Sequence, residues 1–186
     1  MKQERVKIKL PEGTFDVRAN IFENKDITFL AKIYDDWRNL TNRLKNIGGR
    51  GINLPEVLSE AIFCLNMGAI RINSNINGAN SSFDVFEPTR NKRIQIKACS
   101  VLPDLTSFGP ESVWDELYFL DFYRKGEWDG TIDCYIIPNN SIYNFRVNSN
   151  STLKEQQKLG RRPRFSIYKG IILRDNIKPL KTFRLK

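Results

Sequence analysis

The chain of 186 residues contains no histidine. This absence excludes Ser-His-Asp hydrolysis, Cys-His proteolysis, and zinc hydrolases or nucleases that depend on an imidazole. Only three cysteines are present, Cys64, Cys99 and Cys134, and they are far apart with no CxxC pair. Because each lies among apolar residues, we expect buried free thiols and no zinc site. Any hydrolytic chemistry must then depend on carboxylates, lysine and a hard metal ion.

Long apolar segments are also missing, since no run approaches the ~18 residues that span a bilayer. The N-terminus, MKQERVKIKL, is charged and alternating, unlike a secretory signal. We therefore expect a cytoplasmic protein that does not contact a membrane. Positive charge is abundant: 30 Lys and Arg against 21 Asp and Glu give a net charge of +9. A domain this basic usually binds DNA or RNA, although a charge that only maintains solubility is the simpler alternative.

A length of 186 residues fits one domain, and hydrophobic periodicity predicts that it mixes helices and strands. A short strand is predicted over 5–9 and a helix over 26–45. A second helix is predicted after Asn53, with that residue as its N-cap, and it is expected to end at Gly68. The other predicted elements are strands at 69–72, 117–123 and 131–137, a short polar helix at 151–159, and a last strand or pair of strands within 164–173.

The segment 82–100, SFDVFEPTRNKRIQIKACS, carries the most informative pattern. It predicts two short strands joined by a charged turn, with Asp84 on the first strand and Gln95 and Lys97 on the second. Side chains alternate along a strand, so Gln95 and Lys97 share one face while the isoleucines between them point into the core. If the strands form a hairpin, an acid, an amide and an ammonium share one patch. This combination is typical of a magnesium and phosphate site, although the same residues also suit a polar hairpin face with a structural ion pair.

Two acids precede the hairpin in sequence. Glu56 and Glu60 are four residues apart, so they lie on one face of the second predicted helix. Either could reach the hairpin if the helix packs beside it. The alternative is that both are solvated, with Glu56 favouring the helix dipole in the first turn.

The order of acidic helix, Asp strand and Gln-x-Lys strand resembles the PD-(D/E)XK nuclease superfamily. Four blocks, GRGINLPEVLSEAIFCL, QIKACSV, DLTSFGPESVWDELYFLDF and GRRPRFSI, are similar to small type II restriction endonucleases, nearest those that cleave GCNGC. The blocks span roughly residues 49–168. This resemblance implies an α/β fold with a central mixed β-sheet flanked by helices. It also implies a single nuclease domain over 1–186, with a catalytic core at about 54–100 and DNA recognition within 101–168.

The resemblance further implies roles for individual residues. Asp84 matches the metal-binding aspartate, Gln95 the second acid position, and Lys97 the catalytic lysine. The helix acid is matched by Glu56, with Glu60 as the alternative. The chain departs from the usual pattern twice: Phe83 stands where proline often precedes the aspartate, and Gln95 replaces the usual glutamate, which removes one negative charge.

The activity implied is Mg²⁺-dependent cleavage of double-stranded DNA, giving 5′-phosphate and 3′-hydroxyl ends. The metal ligands would be Asp84, Glu56, the Ile96 carbonyl and the Gln95 amide oxygen. A homodimer is expected because two strands of a symmetric site are cut, and a cognate DNA methyltransferase is expected in the same system.

Arginines suggest where DNA is bound. Arg161, Arg162 and Arg164 are clustered around Pro163, and arginine binds guanine edges or phosphates in bidentate fashion. Ser107 and Arg93 are further candidate DNA contacts. A solvated basic loop is the alternative for the arginine cluster. For the whole protein the alternatives are a structure-specific nuclease, such as a junction resolvase or repair enzyme, and a non-catalytic nucleic-acid-binding protein.

Overall fold

Residues 1–73 and 75–185 are described by a computed structural model. The strands are β1 Lys2–Leu10, β2 Gly13–Ile21, β3 Ile70–Ile72, β4 Val85–Glu87, β5 Lys92–Cys99, β6 Thr106–Ser107, β7 Glu116–Asp121, β8 Thr131–Ile137, β9 Arg146–Asn148, β10 Ser151–Thr152, β11 Arg164–Phe165 and β12 Lys181–Arg184. The α-helices are α1 Ile27–Asn46, α2 Glu56–Met67, α3 Asn139–Tyr143 and α4 Leu153–Lys158, with 3₁₀ turns at Asn24–Asp26 and Arg124–Gly126 and a π-helix at Tyr168–Leu173.

The central sheet contains eight strands in the order β1-β2-β3-β4-β5-β7-β8-β12. Neighbouring strands are antiparallel except β5 and β7, which run parallel. Helices α1 and α2 bury their apolar sides against one face of the sheet. Helices α3 and α4 and the π-helix cover the other face. The predicted single α/β domain with a mixed sheet between helices is confirmed.

Both long helices have clear causes in the sequence. In α1 the buried residues Leu30, Tyr34, Trp37 and Thr41 recur every three or four positions, which gives one core-facing stripe. Helix α2 ends at Gly68, whose φ of 70° is the left-handed conformation that terminates helices. The start of α2 differs from the prediction, because Pro55 and not Asn53 occupies the N-cap position.

The predicted hairpin is present, formed by β4 and β5 with Val85 opposite Ile94. Ile94 and Ile96 pack into the cluster beneath α1 and α2. Gln95 and Lys97 therefore emerge on the opposite face of β5. The strands predicted at 117–123 and 131–137 and the helix predicted at 151–159 are confirmed by β7, β8 and α4.

The two ends of the chain differ most from the sequence-based prediction. The sequence pattern predicts only a short strand at 5–9 at the N-terminal end, whereas β1 is longer and β2 pairs with it along its whole length. The strand predicted within 164–173 is wrong beyond its first two residues, because Ile167, Ile171 and Ile172 are buried on one side of a helical segment. The last strand is β12, which pairs with β8 at the far edge of the sheet.

The three cysteines are free and buried, as predicted. Across residues 1–73 and 75–185, no helix has both the length and the apolar character needed to cross a membrane.

Candidate active site

Asp84 lies just before β4 and is held by the neighbouring strand β5. Its backbone N–H donates to the carbonyl of Ile94 at 3.0 Å. The N–H of Ile96 donates to its Oδ2 at 2.7 Å, and the side-chain amide of Gln95 donates to the same oxygen. The carboxylate is therefore fixed by two donors from β5.

The environment of Asp84 is unusual for a carboxylate. Burial raises its pKa to about 7, although the Lys97 charge and the Ile96 N–H act in the opposite direction. Gln95 is almost fully buried and offers an N–H to this carboxylate. A glutamate at position 95 would place a second negative charge there. The amide thus reduces the electrostatic cost of keeping Asp84 ionised.

Helix α2 brings its two acids to the same cleft in different states. Glu60 is buried and forms an ion pair with Arg71 of β3. Burial raises the pKa of Glu60, while Arg71 opposes the rise. Glu56 is exposed at the start of the helix, and within the described part of the chain its carboxylate forms no ion pair. Of the two acids, Glu56 is the one whose oxygens remain available to a ligand.

Lys97 extends from β5 into this cleft. Its ammonium lies 5.3 Å from the centre of the Phe108 ring, and the side chain is half-buried. Its charge lowers the pKa of both Asp84 and Glu60, which places the three groups in one electrostatic field. An aromatic face beneath an ammonium stabilises the charge and limits its movement.

The cleft has a volume of about 490 Å³. The predicted site residues Asp84, Lys97, Glu56 and Glu60 line it together with Ile96. A second part of its wall is the segment 100–107, which follows β5. The Trp128 indole donates to the Ser100 carbonyl at 2.7 Å and anchors the start of this wall.

Asp104 anchors the far end of the wall. Its carboxylate accepts from the backbone of Ile167 at 2.8 Å and of Tyr168 at 3.2 Å, and also from the hydroxyls of Thr106 and Ser166. The residue is 4% exposed. Asp104 is not recognisable from the sequence, because an aspartate after a proline carries no signal for a contact more than sixty residues away.

The donor set fits a hard divalent cation. Both hydrogen bonds to Asp84 reach Oδ2, so Oδ1 accepts no hydrogen bond from the described residues. Oδ1 and the Glu56 carboxylate supply hard oxygens, and Mg²⁺ needs few protein ligands because it retains water. Among residues 1–73 and 75–185, no three His, Cys, Asp or Glu side chains come together as a complete metal cage. The arrangement suits an ion shared with a phosphate better than a closed structural site.

The predicted DNA-contacting residues fall into two groups. Strand β11 pairs with β6, which places Arg164 directly opposite Ser107. A Cβ on Gly109 would lie 3.1 Å from Arg162, so this arginine packs against the same segment. Arg161, Arg162 and Arg164 are exposed, and none forms an ion pair within the described residues. The ribbon β6–β11 thus joins the arginine cluster to the wall of the cleft.

Arg93 lies apart from this ribbon. It is 9% exposed, and its guanidinium makes two hydrogen bonds to Asp115, at 2.9 and 3.1 Å. Arg71 is similarly occupied by Glu60. The structure therefore brings Asp84, Gln95, Lys97, Glu56 and Glu60 together, adds Ser107 and the exposed arginines along one side, and leaves Arg93 in a structural pair.

Comparisons with known proteins agree on one family. A family model described as Bsp6I restriction endonuclease matches residues 22–174. The type II restriction enzyme Bsp6I of Bacillus sp. (strain RFL6) is 38% identical over 159 residues, which cover 84% of this chain and 86% of that protein. No solved structure matches the chain.

Proposed function

Because the chain belongs to the Bsp6I restriction endonuclease family and is a site-specific deoxyribonuclease, we propose that it cleaves double-stranded DNA at GCNGC with Mg²⁺ as its cofactor. The observation that carries the catalytic site is the convergence of Asp84, Lys97 and Glu56 on one cleft. The coarser conclusion, a type II restriction endonuclease, does not depend on these residues. The target sequence, the metal and the residue roles are our proposal.

Asp84 and Glu56 would hold the metal ion, with the Ile96 carbonyl and the Gln95 amide oxygen as further donors and Glu60 as the alternative acid. When bound, Mg²⁺ polarises the scissile phosphate and lowers the pKa of water beside it. Asp84 is suited to this task because both hydrogen bonds from β5 reach its Oδ2, so that Oδ1 stays available to the metal ion. Gln95 orients that carboxylate without adding charge.

Lys97 would act on the phosphate and on the attacking water. Its ammonium is held over Phe108, so it is positioned before substrate binds. A fixed positive charge stabilises the negative charge that develops on the phosphate oxygens during in-line attack. The leaving oxygen would remain on the 3′ side, giving a 5′-phosphate and a 3′-hydroxyl.

DNA would be recognised beside the reacting phosphate. Arg161, Arg162 and Arg164 are exposed and form no ion pair with the described residues, and Arg164 lies opposite Ser107. Arginine binds guanine O6 and N7 in bidentate fashion. The catalytic core would then comprise about 54–100 and the recognition elements would lie within 101–168. The occupied guanidinium of Arg93 makes it the weakest of the proposed contacts.

Cleavage of both strands leads to a homodimer, because each chain offers one such cleft and a symmetric site has two scissile phosphates. A methyltransferase that protects host DNA at the same sequence would accompany the enzyme as a functional partner. Both proteins would act in the cytoplasm, where the DNA is.

Digestion of mixed plasmid and phage DNA tests this proposal. We expect discrete fragments with Mg²⁺ and none with EDTA, and sequencing of the fragment ends gives the site and the stagger. Asp84→Ala and Lys97→Ala should bind the duplex but reduce the cleavage rate at least roughly a hundredfold. Asp175→Ala and Lys178→Ala, at exposed positions, serve as matched controls and should cut normally. Undiminished cutting by the Asp84 or Lys97 variant would overturn the site assignment.

A further inference from the structure

The β1–β2 hairpin precedes the residues that the family match covers, 22–174, and it carries an unusual charge pattern. On one face it exposes Arg5, Lys7, Lys9 and Arg18, with Asp16 as the acid among them. Arg5 and Arg18 are directly opposite each other in the strand register. Like charges in this arrangement repel, and Asp16, which lies opposite Lys7 and 3.8 Å from Arg5, offsets them only in part.

Protection of an edge strand does not fully explain this pattern. Lysines on β1 would discourage edge-to-edge pairing, because β1 lies at the margin of the sheet. Arg18, however, is on β2, which is an inner strand. The weak contact between Arg5 and Asp16, at 3.8 Å, leaves most of the positive charge uncompensated. A polyanion is the ligand that such a face fits.

The register directs the basic face toward the cleft end of the sheet. Ala19 pairs with Ile72, Arg71 with Val85, and Val85 with Ile94. Decreasing residue numbers on β2 and increasing residue numbers on β5 therefore lead to the same end of the sheet, where Arg18 and Lys97 lie. Residues 13–18 therefore extend beyond the end of β3, by roughly 20 Å at ~3.3 Å per residue.

The projecting part is held firmly. Ile8, Leu10 and Val17 are buried on the other face, in a cluster with Phe83 and Phe86. The side chain of Glu12 accepts from the backbone of Asn80 at 3.4 Å, and the Phe15 ring packs near Gly78. Because residues 13–18, which we call the arm, are packed against the core and against residues 78–80, the charges of the arm are preorganised.

We propose that the exposed face of the β1–β2 hairpin is a second DNA-binding surface, which contacts backbone phosphates outside the recognised sequence. Measured across the sheet, two to three strand spacings of ~4.8 Å separate β2 from β4 and β5, or about three to four base pairs along a duplex. Arg18 lies on the same face of the sheet as Arg71 and Ile94, whereas Lys97 points to the other face, so the two meet only at this end of the sheet. The inference rests on the proposed position of the active site, since the DNA must lie across that end of the sheet.

The test is the salt dependence of duplex binding in EDTA, which is independent of cleavage. Arg5→Gln/Lys7→Gln/Lys9→Gln removes three cations from the face, and it should reduce the slope of log K against log salt by about 2.7 and weaken low-salt binding roughly tenfold. The control Lys2→Gln/Lys25→Gln/Lys32→Gln removes the same charge at the opposite end of the hairpin, in the 3₁₀ turn Asn24–Asp26 and in α1, and it should leave the slope unchanged. All variants are compared with the parent by thermal unfolding.

Duplex length gives a second readout. The loss should appear on duplexes with about twelve flanking base pairs and vanish with about two, because the short duplex does not reach the arm. If the triple variant does not fold, Lys7→Gln/Lys9→Gln is measured instead, with an expected slope change of about 1.8. An unchanged slope on long duplexes in a folded variant overturns the proposal. Retained fragment patterns with a reduced slope would separate this result from failure of the proposed catalytic site.

Discussion

At the residue scale, the buried carboxyl of Asp84 lowers the stability of the fold at neutral and alkaline pH. Burial raises the pKa of its carboxyl to about 7, so the group favours folding below its unfolded pKa near 4 and loses that contribution as the pH rises through about 7. An asparagine is neutral at every pH, so it avoids the free-energy cost of burying an ionised carboxylate. We therefore expect Asp84→Asn to raise the metal-free stability by about 2 kcal/mol at pH 8 and by less at pH 5. Thermal unfolding in EDTA at the two pH values measures the difference.

Asp115→Asn is the matched control because its pKa is shifted in the opposite sense. Although partial burial opposes the shift, hydrogen bonds from Arg93 hold the pKa of Asp115 below its usual range. That carboxylate stabilises the fold above its unfolded pKa, and the stabilisation is lost as the pH falls through the folded value. Its asparagine variant should lose about 1 kcal/mol at pH 8. If both variants changed stability in the same direction at pH 8, the electrostatic account of Asp84 would be wrong.

At the residue level, the sequence predicts which side chains lie close together, but not their burial or their hydrogen-bond and ion-pair partners. Alternation along β5 was sufficient to place Gln95 and Lys97 on one face. The hydrogen bond that joins the Gln95 amide to Asp84 and the ion pair that joins Glu60 to Arg71 depend on three-dimensional packing. Their spacing of four residues gives Glu56 and Glu60 the same helix face, so the sequence does not distinguish them. The structure does, because Glu56 is exposed and Glu60 is buried.

Among secondary-structure elements, those with strong local periodicity were predictable. Helix α1, helix α2, β7 and β8 are each defined by their own apolar spacing. The hairpin β1–β2 also carries an alternating signal in Phe15, Val17, Ala19 and Ile21, which is typical of a strand with one buried face. The π-helix at Tyr168–Leu173 was not predictable in this way, because a distant residue supplies the acceptor for its first turn.

That distant residue, Asp104, gives a prediction for the element it caps. Asp104 is 4% exposed, and its carboxylate accepts hydrogen bonds from two backbone N–H groups and two hydroxyls. Asp104→Ala removes the acceptor for all four donors. Leaving buried donors unpaired is costly, so we expect a loss of about 3 kcal/mol in urea unfolding, and a reduced cleavage rate because the cleft wall loosens. Asp104→Asn retains an acceptor and should lose less.

The control for this prediction is Asp175→Ala, just beyond the C-terminal end of the same π-helix. Asp175 is exposed and pairs with the neighbouring Arg174 at 2.6 Å. Surface pairs of this kind contribute little, so its loss should remain below about 0.5 kcal/mol. Equal effects of the two alanine substitutions would show that Asp104 is not the anchor of the wall.

At the scale of the whole molecule, each chain carries one cleft with Asp84, Lys97 and Glu56, whereas a duplex has two strands to cut. If the enzyme acts as a two-fold dimer, each protomer cuts one strand. Mixing parent and Asp84→Ala protein in equal amounts, with time to exchange subunits, should give about half heterodimers that carry one working site. These heterodimers would nick supercoiled plasmid at the recognised sequence and release open circles. Parent protein alone should convert most plasmid to the linear form.

The quantity to measure is the ratio of open-circular to linear product as the proportion of Asp84→Ala protein increases. Random pairing predicts that linear product falls with the square of the active fraction, while nicked product passes through a maximum near equal mixing. A monomer that cuts both strands in turn would instead lose both products in direct proportion to the active fraction. Sedimentation of the DNA-free protein should show two chains per particle if the dimer forms before binding. The mixing curve remains decisive when the two chains assemble only on DNA, because it counts the active sites that each double-strand cut requires.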